Sequence, residues 1–181
     1  MNGQGQGYVV HEGCDHIFFI GFLGAGKSTL ARNLGALFRR SFVDTDRLVE
    51  RARGKSVCDI FAEDGQDCFR REAAVLRGLA ERKSLLVSCG GGIVEGRESC
   101  RLMHQMGTIV FLDGDLEDSL RQIRHPELRP DFRCAKDAGE LYRYRYPLYQ
   151  READLTLDIR NKTFDQVCSM AGALLWEEGL L

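Results

Sequence analysis

Residues Gly21-Phe22-Leu23-Gly24-Ala25-Gly26-Lys27-Ser28 match G-x-x-x-x-G-K-S/T at every position, and their flanks narrow the fold further. Before them, His16-Ile17-Phe18-Phe19-Ile20 is a short apolar run suited to a buried strand. After them, Thr29 to Phe38 has helical spacing, with Leu30, Leu34, Leu37 and Phe38 on one face. Strand, glycine loop and helix form the context in which this motif cradles phosphates. The glycines let successive backbone N–H groups turn inward, and the helix start adds partial positive charge. Lys27 supplies a full charge, and the Ser28 hydroxyl suits Mg²⁺. A chance glycine turn is the alternative, and both flanks argue against it. The expectation is a nucleoside triphosphate site.

A chain of 181 residues suits one α/β domain with a proper core. The net charge of −2 gives no sign of a nucleic-acid or membrane surface. No apolar stretch approaches the length of a membrane span, and the N-terminus lacks a signal peptide's basic-then-apolar order. Met1 to Asp15, with Gly3, Gly5 and Gly7 among glutamines, reads as a flexible extension ahead of one domain over 16–181. The seven cysteines are scattered, without a C-x-x-C pair, which argues against both a zinc site and a disulfide framework. Free thiols in a reducing cytoplasm are the expectation, and the reactivity of Cys89, beside a glycine run, is left open.

Apolar runs alternate with helical patterns. The expected strands are His16–Ile20, Ser41–Asp44, Ser84–Ser88, Thr108–Asp113 and Asp154–Ile159. The expected helices lie near Ser28–Phe38, Arg47–Arg53, Val57–Asp64, Asp67–Arg82, Glu98–Met106, Leu116–Arg124, Lys136–Tyr149 and Thr163–Glu178. Ser56 with Asp59 resembles a capping pair. The alternation indicates an α/β fold, a parallel sheet covered by helices on both faces, with ligands at the carboxyl ends of the strands. Two stretches stand outside a plain five-stranded unit. Thr45 to Arg77 is a helical insert able to hold a substrate. His125 to Ala135, polar and containing Arg129 and Arg133, suits either a lid over the site or a surface connector.

Chemistry gathers at the strand ends. The second strand runs into Asp44-Thr45-Asp46, where one carboxylate can position Mg²⁺ and the other accept a proton from an attacking hydroxyl. Asp46 also suits a helix cap. The third strand runs into Cys89-Gly90-Gly91-Gly92, where a backbone without side chains can approach a ligand, or simply turn tightly. Arg70, in Phe69-Arg70-Arg71-Glu72, and Arg145, in Arg145-Tyr146-Pro147-Leu148-Tyr149, can each grip a carboxylate with a guanidinium fork, or serve as surface charge.

Taken together, these motifs resemble the shikimate kinase family in order and spacing. The phosphate loop, the D-T-D, Gly54 through Phe61 and Gly65 to Phe69-Arg70, the G-G-G, Arg129-Pro130 and R-Y-P-L-Y carry the resemblance over about residues 16 to 178. It implies a three-layer P-loop kinase fold and transfer of the γ-phosphate of ATP to the 3-hydroxyl of shikimate, on the way to chorismate and the aromatic amino acids. By that resemblance Gly24, Ala25, Gly26, Lys27, Ser28 and Thr29 would hold ATP, with Ser28 and Asp44 on Mg²⁺. Asp46 would hold the shikimate hydroxyls and act as base, Arg70 and Arg145 would bind the carboxylate, and Gly90, Gly91 and Gly92 would line the pocket. Arg129 would reach the transferring phosphoryl group, and Arg121 would lie against adenine. A small-molecule substrate and a cytoplasmic monomer, with no nucleic-acid or membrane partner, complete the expectation.

Two positions depart from the family pattern. Glu72 follows Arg70 by two residues where the family has three. Counting forward from Gly54 still places Arg70 on the family arginine, with Arg71 as the alternative. In the lid, Asp131-Phe132 follows Arg129-Pro130 where the family often has apolar residues, which could weaken the grip of Arg129 on phosphate or hold the lid open. A kinase of another small hydroxy acid, such as gluconate, and a nucleotide-binding regulator without catalysis are the competing readings. The retained D-T-D, G-G-G and R-Y-P-L-Y argue against the first. The presence of Lys27, Asp46 and both arginines argues against the second.

Overall fold

Strand β1 (His16–Ile20) is buried along its whole length and holds the centre of the sheet, as an uninterrupted apolar run should. The computed structural model describes residues 13–64, 68–122 and 138–181. The chain continues through α1 (Lys27–Phe38), β2 (Phe42–Asp44), α2 (Thr45–Arg53), α3 (Val57–Asp64), α4 (Cys68–Arg77) and β3 (Leu86–Ser88). A 3-10 turn (Ile93–Glu95), α5 (Arg97–Met106), β4 (Gly107–Asp113), α6 (Leu116–Gln122), α7 (Ala138–Glu152), β5 (Leu155–Asp158) and α8 (Phe164–Glu177) follow. All strands are parallel, in the order β2-β3-β1-β4-β5. The chain leaves β1 towards β2 but leaves β4 towards β5. Connections that diverge in this way open a crevice at the strand ends, where such sheets place ligands.

The period-two alternation of the strands divides the core into two layers. Phe18, Ile20, Val43, Val87, Ile109 and Phe111 face one side, packed with Leu76, Met103 and Tyr149. Ile17, Phe19, Leu86, Val110, Leu112 and Leu157 face the other, against Leu30, Ala31 and Leu34 of α1 and Val167, Ala171 and Leu175 of α8. Helices therefore cover both faces. The start of α8 is fastened by a capping box: Thr163 Oγ1 accepts from the Gln166 N–H, and Gln166 Oε1 accepts from the Thr163 N–H. At α3 the expected pair also meets, with the Asp59 N–H donating to Ser56 Oγ at 3.2 Å.

Several expectations are corrected. Leu37 is 70% exposed, although Leu30 and Leu34 are buried. At about 100° per residue, the buried stripe of α1 is centred between Leu34 and Ala31, and Leu37 falls roughly a quarter-turn away. The helix expected to run to Arg82 ends at Arg77. Gly78 follows, and Leu79, Ala80 and Arg82 donate to carbonyls three residues back, a tightening that closes the helix. Helix α2 begins at Thr45, not Arg47, because Asp44 caps it. Of the extension expected over Met1 to Asp15, residues 1–12 lie outside the described residues, whereas Asp15 is fastened: Arg40 donates to its carbonyl at 2.7 Å.

His16 anchors the start of β1 from a fully buried position. The backbone N–H of Leu85 donates to Nδ1 at 3.2 Å, so Nε2 carries the proton and donates to the Leu79 carbonyl at 3.0 Å. A second ring proton would face the Leu85 N–H, and burial holds the pKa below its ordinary value of 6.5. The folded pKa is therefore depressed relative to the unfolded chain, and stability contributed by neutral His16 is lost as pH falls through about 6.5. We expect the urea midpoint to drop between pH 7.5 and pH 6, and to drop less in a His16→Phe variant. Equal pH dependence in the two proteins would remove His16 from this role.

Candidate active site

The phosphate loop joins the end of β1 to the start of α1. Gly24 and Gly26 take left-handed backbone, φ +79° and +82°, a conformation that favours glycine. The N-cap of α1 is Gly26 itself, with no side-chain oxygen over the helix start. By helix geometry the first-turn N–H groups have no partner within α1, so they face the loop. Lys27 is buried there, with Nζ donating to the carbonyls of Gly21 at 2.8 Å and Phe22 at 2.9 Å. The structure thus draws the ammonium back over its own loop.

Parallel register delivers the next residues. Asp44 at the end of β2 is level with Ser88 at the end of β3, which is level with Phe19 of β1. Ser28 Oγ donates to Asp44 Oδ2 at 2.7 Å and lies 2.9 Å from Ser88 Oγ. Asp44 Oδ1 meanwhile accepts from the Arg47 N–H. Asp44, not Asp46, is therefore the helix cap, and one carboxylate both starts α2 and addresses the phosphate loop. Two hydroxyls and a carboxylate are the hard oxygen donors that Mg²⁺ takes, usually alongside water and phosphate.

Thr45 and Asp46 carry the site from the phosphate side to the glycine run. Thr45, fully buried, accepts from the Gly90 N–H at 2.9 Å. Asp46 lies over Gly90 so closely that a Cβ there would overlap Asp46 Oδ1, and Glu72 Oε1 would stand 3.2 Å from the same Cβ. Two carboxylates thus flank one glycine, and a side chain there would force Asp46 to shift. Gly91 is held by Tyr149, whose hydroxyl donates to its carbonyl at 2.6 Å. Arg145, one turn earlier on α7 and 3% exposed, lies against Gly92. Its Nε donates to Glu95 Oε1 at 2.7 Å.

Leu23, Gly24, Gly26, Lys27, Ser28, Thr29, Asp44, Asp46, Ser88, Cys89, Gly91 and Gln122 line one pocket. Among the described residues its volume is about 280 Å³, room for a small solute. Phosphate-loop and Asp46 groups therefore share a single space. Burial pushes the Cys89 thiol well above its ordinary value; the nearby Glu72, Asp44 and Asp46 carboxylates push the same way and Lys27 opposes them.

Other expected residues are not brought in. Arg121 is exposed and paired with Asp118 at 2.8 Å, while its neighbour Gln122 reaches the pocket wall. Arg129 and the whole lid, 125–135, lie outside the described residues. The backbone of Arg70 belongs to α4, and its side chain lies outside them too. Sequence reasoning missed Glu72 as a site group, along with Ser88, Glu95 and Tyr149. Only the departure in Arg-to-Glu spacing drew attention to Glu72. Ser88, the last residue of an apolar strand, carried a positional signal that could have been read.

The sequence matches the family model "Shikimate kinase" over residues 23–173. The chain is 41% identical to a shikimate kinase of Pelotomaculum thermopropionicum over 116 residues, 64% of this chain and 67% of that protein. It is 33% identical to one from Dehalococcoides mccartyi over 157 residues, 85% of this chain and 89% of that protein. The fold is similar to a structure of shikimate kinase from Acinetobacter baumannii in complex with shikimate. That likeness has a TM-score of 0.83 and 28% identity, and covers 92% of this chain and 95% of the other.

Proposed function

The chain belongs to the shikimate kinase family, and on that premise we propose that its pocket carries out phosphoryl transfer through the following residues. The reaction is ATP-dependent phosphorylation of shikimate, with Mg²⁺ as the metal. Asp46 holds the acceptor and takes the proton of its 3-hydroxyl as that oxygen attacks the γ-phosphorus. The bond from γ-phosphorus to the bridging oxygen breaks, and ADP leaves with the electron pair. Lys27 and the amides of Gly24 to Thr29 bind the phosphates and offset charge developing on them. Ser28 and Asp44 would hold Mg²⁺, which neutralises phosphate oxygens when bound. Arg70 and Arg145 orient the acceptor carboxylate, Gly90 to Gly92 let the acceptor approach the backbone, and Arg129 serves the transferring phosphoryl group. Arg121 remains a candidate for adenine through rearrangement of its pair with Asp118.

The observation that supports this reading best is the placement of Asp46 and Glu72 over Gly90, beside a pocket whose other wall is Lys27, Ser28 and Asp44. Such proximity converts an encounter of two reactants into a positioned pair. A coupled ADP-release assay with Mg-ATP tests it, comparing shikimate, gluconate, quinate and no acceptor. Release that depends on shikimate is expected. Release with another acid alone would discard the acceptor pocket as described.

Arg145→Ala should raise the KM for shikimate roughly ten- to a hundredfold, the worth of charge-assisted hydrogen bonds of about 1.5–3 kcal/mol. The KM for ATP should stay close to that of the parent protein. A change confined to the ATP dependence would overturn the carboxylate assignment. Among the described residues no helix is long and apolar enough to cross a membrane. We place the protein in the cytoplasm, a reading supported by the free thiols of Cys14, Cys89, Cys100 and Cys168, and take it to be a monomer.

A further inference from the structure

Arg145 is 3% exposed, and a buried guanidinium needs a carboxylate close by. One such partner is Glu95, fifty residues earlier, at the end of the 3-10 turn that follows the glycine run. Glu95 Oε1 takes the Nε hydrogen at 2.7 Å, and the two side chains are 18% and 4% exposed respectively. The rest of the guanidinium is turned to the glycines: a Cβ on Gly92 would stand 3.1 Å from NH2, and one on Gly91 3.5 Å from NH1. The turn itself is tied to the same glycines, because the Glu95 N–H donates to the Gly92 carbonyl at 2.9 Å. Glu95 is therefore tied to the glycine run through its own backbone as well as through Arg145.

We infer that Glu95 is a positioning residue for the acceptor: by engaging Arg145 at Nε, it orients the NH1/NH2 edge towards the glycine wall where the acceptor carboxylate docks. A guanidinium presents two forked edges, one including Nε and one made of NH1 and NH2. With Nε committed to Glu95, the second edge is the one directed along Gly91 and Gly92. The carboxylate of Glu95 also offsets the buried charge, so the arginine is held in place and loses little freedom on binding. Tyr149, bonded to the Gly91 carbonyl from the same helix, fixes the distance between α7 and the glycines.

This inference rests on the proposed role of Arg145, and the experiment separates the two. Steady-state kinetics with shikimate and with its neutral carboxamide are measured for the parent protein, Arg145→Ala, Glu95→Ala, Glu95→Asp and Glu95→Gln. For Glu95→Ala the KM for shikimate should rise roughly tenfold or more, with kcat and the KM for ATP little changed. Glu95→Asp, which withdraws the oxygen by a methylene, should move in the same direction and serves if the alanine variant does not fold. Glu95→Gln still accepts from Nε and should recover most of the loss. On the carboxamide, parent and Glu95→Ala should have similar KM values, because no carboxylate is there to be gripped. An unchanged or lowered KM for shikimate in both Glu95→Ala and Glu95→Asp would overturn the inference, as would an equal rise on the carboxamide. If Arg145→Ala leaves the KM for shikimate unchanged, the carboxylate assignment itself fails. If the parent protein does not use shikimate, the proposed function fails.

Discussion

Replacing Asp46 by Asn should lower turnover by roughly 10²- to 10⁴-fold, the range over which a positioned general base contributes, while nucleotide binding survives. The amide keeps the size and much of the hydrogen bonding of the carboxylate, but it cannot take the hydroxyl proton. The fold should tolerate the change, because the cap of α2 is Asp44, whose Oδ1 accepts from the Arg47 N–H. What α2 loses is a negative charge in its first turn, worth about 0.3–1 kcal/mol at such positions. Steady-state ADP release, together with calorimetric titration of nucleotide, checks both halves. Near-parental turnover would remove Asp46 from the base role. Lost turnover together with lost nucleotide affinity would assign it to the phosphate side instead.

Lys27→Met should lower kcat/KM by at least roughly 10²- to 10³-fold, the cost of removing one preorganised donor from a charge-developing transition state. Methionine matches the length of the lysine stem but carries no charge. In the resting structure Nζ serves the Gly21 and Phe22 carbonyls, so the variant also leaves two loop carbonyls without that donor. Leaving such groups unmade costs about 1–3 kcal/mol each when they are buried, partly offset because a buried charge disappears as well. Thermal melting measures that structural part. The kinetic part is read from the ATP dependence, which should worsen while acceptor binding persists. A variant within tenfold of the parent protein at saturating ATP would sink the assignment.

Much of this site was legible because it is local. A phosphate loop needs a strand, a glycine turn and a helix in immediate succession, and all three are written in residues 16–38. The same holds for α3 and α8, whose caps lie three residues apart. The pairing of Asp44 with Asp46 was also visible, as two carboxylates beyond a strand end. Their division of labour was not. It turns on Asp44 being level with Ser88 across a parallel register and within 2.7 Å of Ser28, relations that link residues 16 to 44 positions apart. Leu37 shows the same limit on a smaller scale: its helical position was read correctly, but its exposure depends on where the sheet lies beneath α1.

By itself, then, the sequence determined the order of strands and helices, the phosphate loop, the acids and glycines at strand ends and the arginines on helices. Periodicity, glycine and cap chemistry act over a few residues, so they can be read along the chain. Tertiary structure alone decided which of those groups meet. It set Glu72 beside Asp46 over Gly90, joined Glu95 to Arg145, and fixed Gly91 under the Tyr149 hydroxyl. It also buried Cys89, which raises the pKa of its thiol. Contacts and shifted acidities of this kind arise from the packing of distant segments and the exclusion of water between them, and no local pattern in the chain records either.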